Sequence, residues 1–102
     1  MDKTRALKLA RGYVGFLVSQ RSYKIKEAFL FGSYAVNNFN DDSDIDIALV
    51  LANYNDSIKE LSNLMRLRRK FDLRIEPHPI AEEDFSDDNP FAKEIKKGLR
   101  IR

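Results

Sequence analysis

The sequence predicts an α/β (α+β) fold, with a small mixed β-sheet flanked by helices. Apolar residues recur at helical spacing over residues 3–20, whereas 24–31 and 44–51 are short apolar runs typical of strands. A second helix-spaced segment then separates 44–51 from another strand-like run at 71–80. Strands that alternate with helices in this way are typical of layered domains in which helices cover a sheet.

The composition excludes several kinds of protein. The 102 residues include no cysteine and one histidine, which excludes disulfides, thiolate metal sites and a histidine-rich metal cage. No apolar run approaches the roughly 20 residues that cross a bilayer, and the N-terminal residues lack the apolar core of a signal peptide. We therefore expect a cytoplasmic protein without a membrane partner, in which residues 1–102 form one domain.

The first half of the chain provides a helix and two strands. In the helix, the apolar stripe consists of Leu7, Ala10, Val14 and Leu17. Strand 24–31 ends at Gly32-Ser33, where we expect a turn and the start of a short helix. A polar loop follows, and strand 44–51 has apolar residues on both faces, which favours an internal position in the sheet.

The second half begins with a helix that we expect to run to about residue 70. Asp56 or Ser57 is its predicted N-cap, and its predicted inward residues are Ile58, Leu61, Leu64 and Met65. The next strand is expected to end near Pro77, because Pro79 disfavours a long central strand beyond that point.

The C-terminal part of the sequence predicts one more helix and a short strand. Asn89-Pro90 is typical of a helix start, and Gly98 is typical of a helix end. Residues 99–102 are apolar and basic in alternation, and we expect them to add a short edge strand.

Two short motifs carry the candidate chemistry. A glycine between a strand and a helix start lets a ligand approach the backbone, and Ser33 adds a hydroxyl donor beside Gly32. Asp44 and Asp46 are two residues apart in a strand, so their side chains point the same way and lie about 6–7 Å apart. Their mutual repulsion is relieved by cations, and carboxylate oxygens suit Mg²⁺.

The two motifs together resemble a known family. Ten residues separate Ser33 from Asp44, and the sequence "FGSYA…SDIDIALV" is similar to the DNA polymerase beta-like nucleotidyltransferase superfamily, in its branch of minimal nucleotidyltransferases (MNT). The resemblance spans roughly residues 25–85. It implies that Gly32 and Ser33 bind the triphosphate of an NTP, and that Asp44 and Asp46 bind two Mg²⁺ ions, for which Mn²⁺ could substitute.

The third carboxylate of this family lies on a neighbouring strand. The segment "RIEPHPIAEEDF" resembles that strand and identifies Glu76 as the third catalytic and metal-binding residue. Asp72, which is expected on the same strand face, is the alternative. Arg74 is a supporting residue that could hold Glu76 or contact a phosphate. His78, two residues after Glu76, could lie near the site, but we expect it to have an exposed or structural role.

One pair of residues departs from the family pattern. Members usually follow Gly-Ser-x-Ala with Arg-Gly, but this chain has Val36-Asn37. The cation that Val36 replaces would support the triphosphate or the loop, and Arg74 could compensate for it.

The resemblance also implies an activity and a partner. Members of this branch pair with a small helical HEPN protein in toxin–antitoxin modules, and the implied reaction is AMP transfer from ATP to a tyrosine of the HEPN ribonuclease. The charged segments 66–70 and 82–88 are candidate contact surfaces. The alternatives are a non-catalytic nucleotide- or toxin-binding antitoxin and a small-molecule nucleotidyltransferase. Nothing resembles a template-binding domain, so a nucleic-acid partner is not expected.

Overall fold

The fold is a mixed α+β arrangement. In the computed structural model, which describes residues 1–20, 23–55 and 58–102, the elements are helix α1 (Lys3–Ser19), strands β1 (Ile25–Phe31) and β2 (Ile45–Leu51), helix α2 (Ile58–Leu67), strand β3 (Ile75–Ala81), helix α3 (Pro90–Lys96) and strand β4 (Leu99–Arg100). Short 3-10 turns at Arg68–Lys70 and Glu82–Asp84 flank β3. The predicted N-caps Asp56 and Ser57 lie outside the described residues.

The strands form one sheet in the order β3-β2-β1-β4. Strand β1 is antiparallel to both β2 and β4, whereas β2 and β3 are parallel. A parallel pair needs a crossover connection, and α2 lies within the segment that joins β2 to β3. The predicted fold class, the internal position of β2 and the short last strand are therefore confirmed.

One face of the sheet carries the main hydrophobic core, which α1 and α2 cover. The alternate residues Ile45, Ile47 and Leu49 of β2 are fully buried there, as their strand spacing predicts. Helix α1 contributes Ala10, Val14 and Leu17 from the predicted stripe, and it also buries Ala6 and Tyr13. The Tyr13 hydroxyl donates to the carbonyl oxygen of Leu64 at 2.8 Å, which ties α1 to α2.

The other face carries a smaller cluster under α3. Phe29 and Ala48 of the sheet pack against Ile95 of α3, with Phe31 and Phe85 at the margin. Asn89 caps α3, since its side-chain oxygen accepts hydrogen bonds from the amides of Phe91 and Ala92. Helix α3 is only seven residues long, so part of this face stays open to solvent.

Two of the four residues predicted to face inward from α2 do not. Leu64 is buried and Met65 is partly buried, but Ile58 is 85% exposed and Leu61 is 40% exposed. Leu67 shares the buried stripe with Leu64 instead. Successive residues of a helix are rotated by about 100° about its axis. When Leu64 and Leu67 face the core, Ile58 therefore points away from it.

The third strand is longer than predicted, and the short helix after Gly32 does not form. Strand β3 continues through Pro77 and Pro79 to Ala81, which its position at the edge of the sheet permits. The Arg74 carbonyl accepts from the Ile45 amide of β2, whereas the Ile75 carbonyl accepts from the Arg68 side chain. Alternate residues of a strand direct their backbone groups to the same side, so Pro77 and Pro79 face the free edge, as Ile75 does. The amide donors that the two prolines lack would therefore have pointed to that edge. After β1, residues 32–37 make only a turn.

No helix in the described ranges is both long and apolar enough to cross a membrane.

Candidate active site

Two acidic side chains lie side by side at one end of the sheet. The parallel register pairs Asp46 of β2 with Glu76 of β3, and the antiparallel register pairs Asp46 with Phe31 of β1. Paired residues of neighbouring strands project to the same face, so Glu76, Asp46 and Phe31 form one row across three strands. Both acids are partly exposed, on the face that α3 covers only in part.

The carboxylate of Asp46 lies directly against the Gly32 backbone. A Cβ atom at Gly32 would overlap Asp46 Oδ2 and would lie 3.2 Å from its Cγ, closer than side chains normally approach. Gly32 also has a φ of +76°, in the left-handed region that favours glycine. Only a glycine at this position therefore lets the turn and the acid meet.

The turn at Gly32 and Ser33 is held in place by the residues that follow it. Tyr34 is fully buried, and its ring stacks on Phe39 with ring centroids 4.4 Å apart. The amides of Ala35 and Val36 both donate to the Gly32 carbonyl, at 3.1 and 3.3 Å. Within the described part of the chain, neither the amide nor the hydroxyl of Ser33 donates a hydrogen bond. Both donors are therefore available to a ligand, although the predicted helix dipole is missing.

His78 lies beside Asp46, a position near the site that its spacing from Glu76 made possible. It lies two residues after Glu76 on the same face, and its Nε2–H donates to Asp46 Oδ1 at 3.0 Å. Its ring also contacts Phe31 and Phe91, with centroids 5.0 and 6.0 Å apart. The strand alternation of Glu76 and His78 places both side chains on one face of β3, but the hydrogen bond to Asp46 depends on the register between strands and could not be read from the sequence.

Asp44 and Asp72 lie outside the two strands that carry Asp46 and Glu76. Asp44 is exposed and immediately precedes β2. Asp72 was predicted to share the strand face of Glu76, but β3 begins only at Ile75. Asp72 is instead paired with Arg74, whose Nε and Nη2 donate to its two carboxylate oxygens at 2.9 and 2.8 Å.

The Asp72–Arg74 pair has a structural role in the loop. The hydrogen bond from the Arg74 side chain is the main reason why the pKa of Asp72 lies below its ordinary value. Arg74 Nη1 also donates to the Asp41 carbonyl at 3.2 Å, which joins this pair to the loop before β2. Arg74 is thus committed to Asp72 and Asp41 rather than to Glu76.

The departure from the family pattern at Val36-Asn37 separates into two parts. Asn37 has a φ of +59°, and asparagine is among the non-glycine residues that tolerate this conformation best. Asn37 can therefore replace the usual glycine. Val36 is 62% exposed, so this position has an apolar surface where the family pattern predicts a cation.

The donor set at this end of the sheet fits Mg²⁺ in its chemistry. Mg²⁺ prefers oxygen ligands, and one or two protein carboxylates with substrate phosphates usually suffice. Asp46 and Glu76 meet that need as neighbours, and the glycine cradle leaves room for the Asp46 carboxylate. Among the described residues, no three acidic or histidine side chains converge closely enough to hold an ion by themselves, so substrate oxygens would have to complete the shell.

Comparisons with known proteins support a family assignment. A family model described as "Polymerase beta, Nucleotidyltransferase" matches residues 17–98. The crystal structure of an inferred nucleotidyltransferase from Sulfolobus solfataricus is similar in fold, with a TM-score of 0.66 and 23% identity over 96% of this chain and 80% of that chain. No curated protein matches the sequence. The chain, with its Gly32-Ser33 turn and its paired acids, belongs to the polymerase beta nucleotidyltransferase family.

Proposed function

We propose that this protein is a Mg²⁺-dependent nucleotidyltransferase that transfers AMP from ATP to a tyrosine hydroxyl of a HEPN-type toxin, and so acts as an antitoxin. The observation that carries the enzymatic part is the Asp46–Glu76 pair beside the Gly32 turn. Membership of the polymerase beta nucleotidyltransferase family supports the same reaction class. The identity of the acceptor rests on the resemblance to minimal nucleotidyltransferases.

Asp44, Asp46 and Glu76 are the residues that would hold Mg²⁺ or Mn²⁺. Bound Mg²⁺ would neutralise charge on the triphosphate and lower the pKa of the acceptor hydroxyl. Glu76 is the better third residue, because it pairs with Asp46 across the strands whereas Asp72 is held by Arg74. His78 is a positioning residue in this scheme, since its hydrogen bond orients the Asp46 carboxylate.

The Gly32-Ser33 turn would bind and orient the phosphates. The Ser33 amide and hydroxyl can donate to phosphate oxygens, and the absence of a Cβ at Gly32 permits close approach to the backbone. The acceptor oxygen forms a bond to the α-phosphorus, the bond from that phosphorus to the β-bridging oxygen breaks, and pyrophosphate leaves. The hydroxyl proton is released to solvent. Ser33 is a phosphate donor and not a nucleophile.

A partner protein would supply the acceptor and part of the wall of the site. Asp46 and Glu76 lie on a partly open face, since α3 covers only the neighbouring part of the sheet. The two charged segments, basic 66–70 and acidic 82–88, are the proposed contact surfaces. Some of their charges are already paired, as in the 2.8 Å contact between Lys96 and Asp87, but several side chains in both segments are exposed.

The test is a transfer assay with the intact protein, the co-encoded HEPN-type protein, Mg²⁺ and each NTP in turn. Mass spectrometry of the partner should show an added AMP on a tyrosine with ATP, and none with chelator. Asp46→Asn should abolish the addition, whereas Glu27→Gln, at an acid of β1 that lies outside both proposed contact surfaces and pairs with Arg100, should leave it intact. Absence of any added nucleotide with every NTP would contradict the proposed activity.

A second candidate function is a non-catalytic antitoxin that binds the nucleotide or the toxin. Two observations favour it: three acids do not converge among the described residues, and Val36 stands where the family pattern predicts a cation. This candidate predicts that Asp46→Asn still neutralises the toxin in a growth assay. A small-molecule nucleotidyltransferase would instead modify a low-molecular-weight hydroxyl compound without any partner.

A further inference from the structure

A cleft lies beside the candidate active site, between the Gly32 turn and α3. Its volume is about 260 Å³, and its lining includes Phe31, Gly32, Ala35, Val36, Glu94 and Lys97. We call it the α3 cleft. Most of these groups are apolar or backbone, with one ion pair between Lys97 and Glu94 at 3.2 Å. Concave apolar sites with a few polar groups are typical of small-molecule binding.

The aromatic wall of the α3 cleft is held in place by two other rings. The centroid of the Phe31 ring lies 5.0 Å from that of His78 and 5.7 Å from that of Phe91, and both contacts are near perpendicular. His78 is itself fixed by its hydrogen bond to Asp46. Val36 completes the wall with a side chain that is 62% exposed. A rigid aromatic ring beside an exposed apolar side chain suits a flat, apolar ligand group.

The position of the cleft relative to the acids indicates which group it takes. The strand order places Glu76 on one side of Asp46 and Phe31 on the other. Gly32 touches Asp46 and also lines the α3 cleft. A nucleotide with its phosphates on the Gly32-Ser33 turn therefore has the α3 cleft on the Phe31 side, and the side of Glu76 is left for the acceptor.

We infer that the α3 cleft binds the nucleobase of the nucleoside triphosphate. The base packs against Phe31, Ala35 and Val36, and the paired side chains of Glu94 and Lys97 offer hydrogen bonds at the rim. A purine buries more apolar area than a pyrimidine, so purine nucleotides bind more tightly. This inference rests on the proposed function, because it assumes that the turn binds the phosphates. It gives the unusual Val36 a role in holding the base.

The first experiment compares Mg–ATP with Mg–tripolyphosphate by isothermal titration calorimetry. The wild type should bind Mg–ATP about tenfold more tightly, since stacking and burial of a base contribute at least that factor. Ala35→Leu, which places a larger side chain in the cleft, should remove this difference and leave tripolyphosphate binding unchanged. Ala52→Leu makes the same change outside the α3 cleft, directly after the end of β2 that is remote from Asp46, and serves as the matched control.

The second experiment locates the base by methyl NMR. Mg–ATP should shift the Ala35 and Val36 methyl signals through the ring current of the base, whereas Mg–tripolyphosphate should not. Val36→Ser removes apolar surface from an exposed side chain without repacking the core, and it should weaken Mg–ATP binding several-fold. This variant keeps the test valid if Ala35→Leu fails to fold.

The outcomes separate this inference from the proposed function. Equal affinity for Mg–ATP and Mg–tripolyphosphate in the wild type would overturn the nucleobase site but leave phosphate binding at the turn intact. Unchanged Mg–ATP binding in a folded Ala35→Leu or in Val36→Ser would do the same. If neither Mg–ATP nor Mg–tripolyphosphate binds to the wild type, the proposed function fails, and the nucleobase site fails with it.

Discussion

The two faces of the sheet differ in how they are covered and in what they expose. On one face, α1 and α2 bury an apolar core that includes Ile45, Ile47 and Leu49 of β2. On the other, the seven-residue α3 covers Phe29 and Ala48 but leaves Asp46 and Glu76 partly exposed. Strand β2 thus contributes Ile45, Ile47 and Leu49 to the core and Asp46 to the candidate site. Substitutions on the two faces should affect different measurable quantities.

The largest effect is expected from Glu76→Gln on the open face. It should lower nucleotide transfer by at least about a thousandfold, because a carboxylate that would hold the metal is lost. Affinity for the NTP should be largely kept, and thermal melts in chelator should show little change in stability. Asp72→Asn should cost far less transfer, since Asp72 pairs with Arg74. The reverse ranking in the transfer assay would mean that Asp72 is the third acidic residue.

Substitutions on the covered face should change stability rather than nucleotide transfer. Leu64→Ala should lower the free energy of unfolding by about 2–5 kcal/mol, because it opens a cavity in the core. Leu61→Ala lies on the same helix, but Leu61 is 40% exposed and should change stability by only about 0.5 kcal/mol. Urea unfolding measures both variants. Equal costs for the two leucines would show that α2 packs in the orientation that the sequence first suggested.

Replacing each of two glycines with alanine should change the stability of the fold in opposite directions. Gly32→Ala should destabilise the fold by about 1–3 kcal/mol, because it strains a left-handed backbone and its Cβ would overlap Asp46. Gly15→Ala in α1 meets nothing within 4 Å and should instead stabilise the fold by about 0.5–1 kcal/mol. Guanidinium unfolding of the two variants is the measurement. If Gly32→Ala leaves the free energy of unfolding unchanged, the contact between Asp46 and the Gly32 backbone does not require a glycine.

The smallest effect is expected at the Asp72–Arg74 pair and should depend on pH. Because the Arg74 side chain lowers the pKa of Asp72 below 3.8, the ionised pair stabilises the fold above that pH, and its contribution is lost as the pH falls through the folded-state pKa. Asp72→Asn should therefore cost less than about 1 kcal/mol at neutral pH.

The pH dependence provides the check on that pair. The difference in unfolding free energy between wild type and Asp72→Asn should shrink toward zero well below pH 3.8. Asp41 and Asp87 also have lowered pKa values, but they are common to both proteins and cancel in the difference. A difference that grows in acid would contradict the role assigned to this pair.

The parts of the fold that local patterns determine were predictable from the sequence. The periodicity of α1, the apolar run of β2 and the Asn89-Pro90 start of α3 all depend on neighbouring residues, and each prediction is confirmed. The orientation of α2 about its axis was not predictable. Ile58 and Leu61 have helical spacing, but that spacing does not determine which side of the helix packs against the sheet. The passage of β3 through two prolines depends on its position at an edge, which is a property of the whole sheet.

The candidate site shows the same limit. The Gly32-Ser33 and Asp44-Ile45-Asp46 motifs are visible in the sequence, but their meeting with Glu76 depends on a parallel register that spans thirty positions, from Asp46 to Glu76. The hydrogen bond from His78 to Asp46 follows from that register as well. The Arg74–Asp72 pair displaces the expected link from Arg74 to Glu76, since a carboxylate two residues away satisfies the guanidinium locally.

The two prolines of β3 have a consequence for how this protein can associate. An open sheet edge is a template on which another chain can add a strand, and such growth underlies both peptide capture and aggregation. Pro77 and Pro79 remove two successive outward donors from that edge, and Arg68 occupies the outward carbonyl of Ile75. A second copy or an extended peptide cannot form a continuous ladder there. Any protein that reaches the neighbouring acids must therefore engage side chains and helices rather than the backbone of β3.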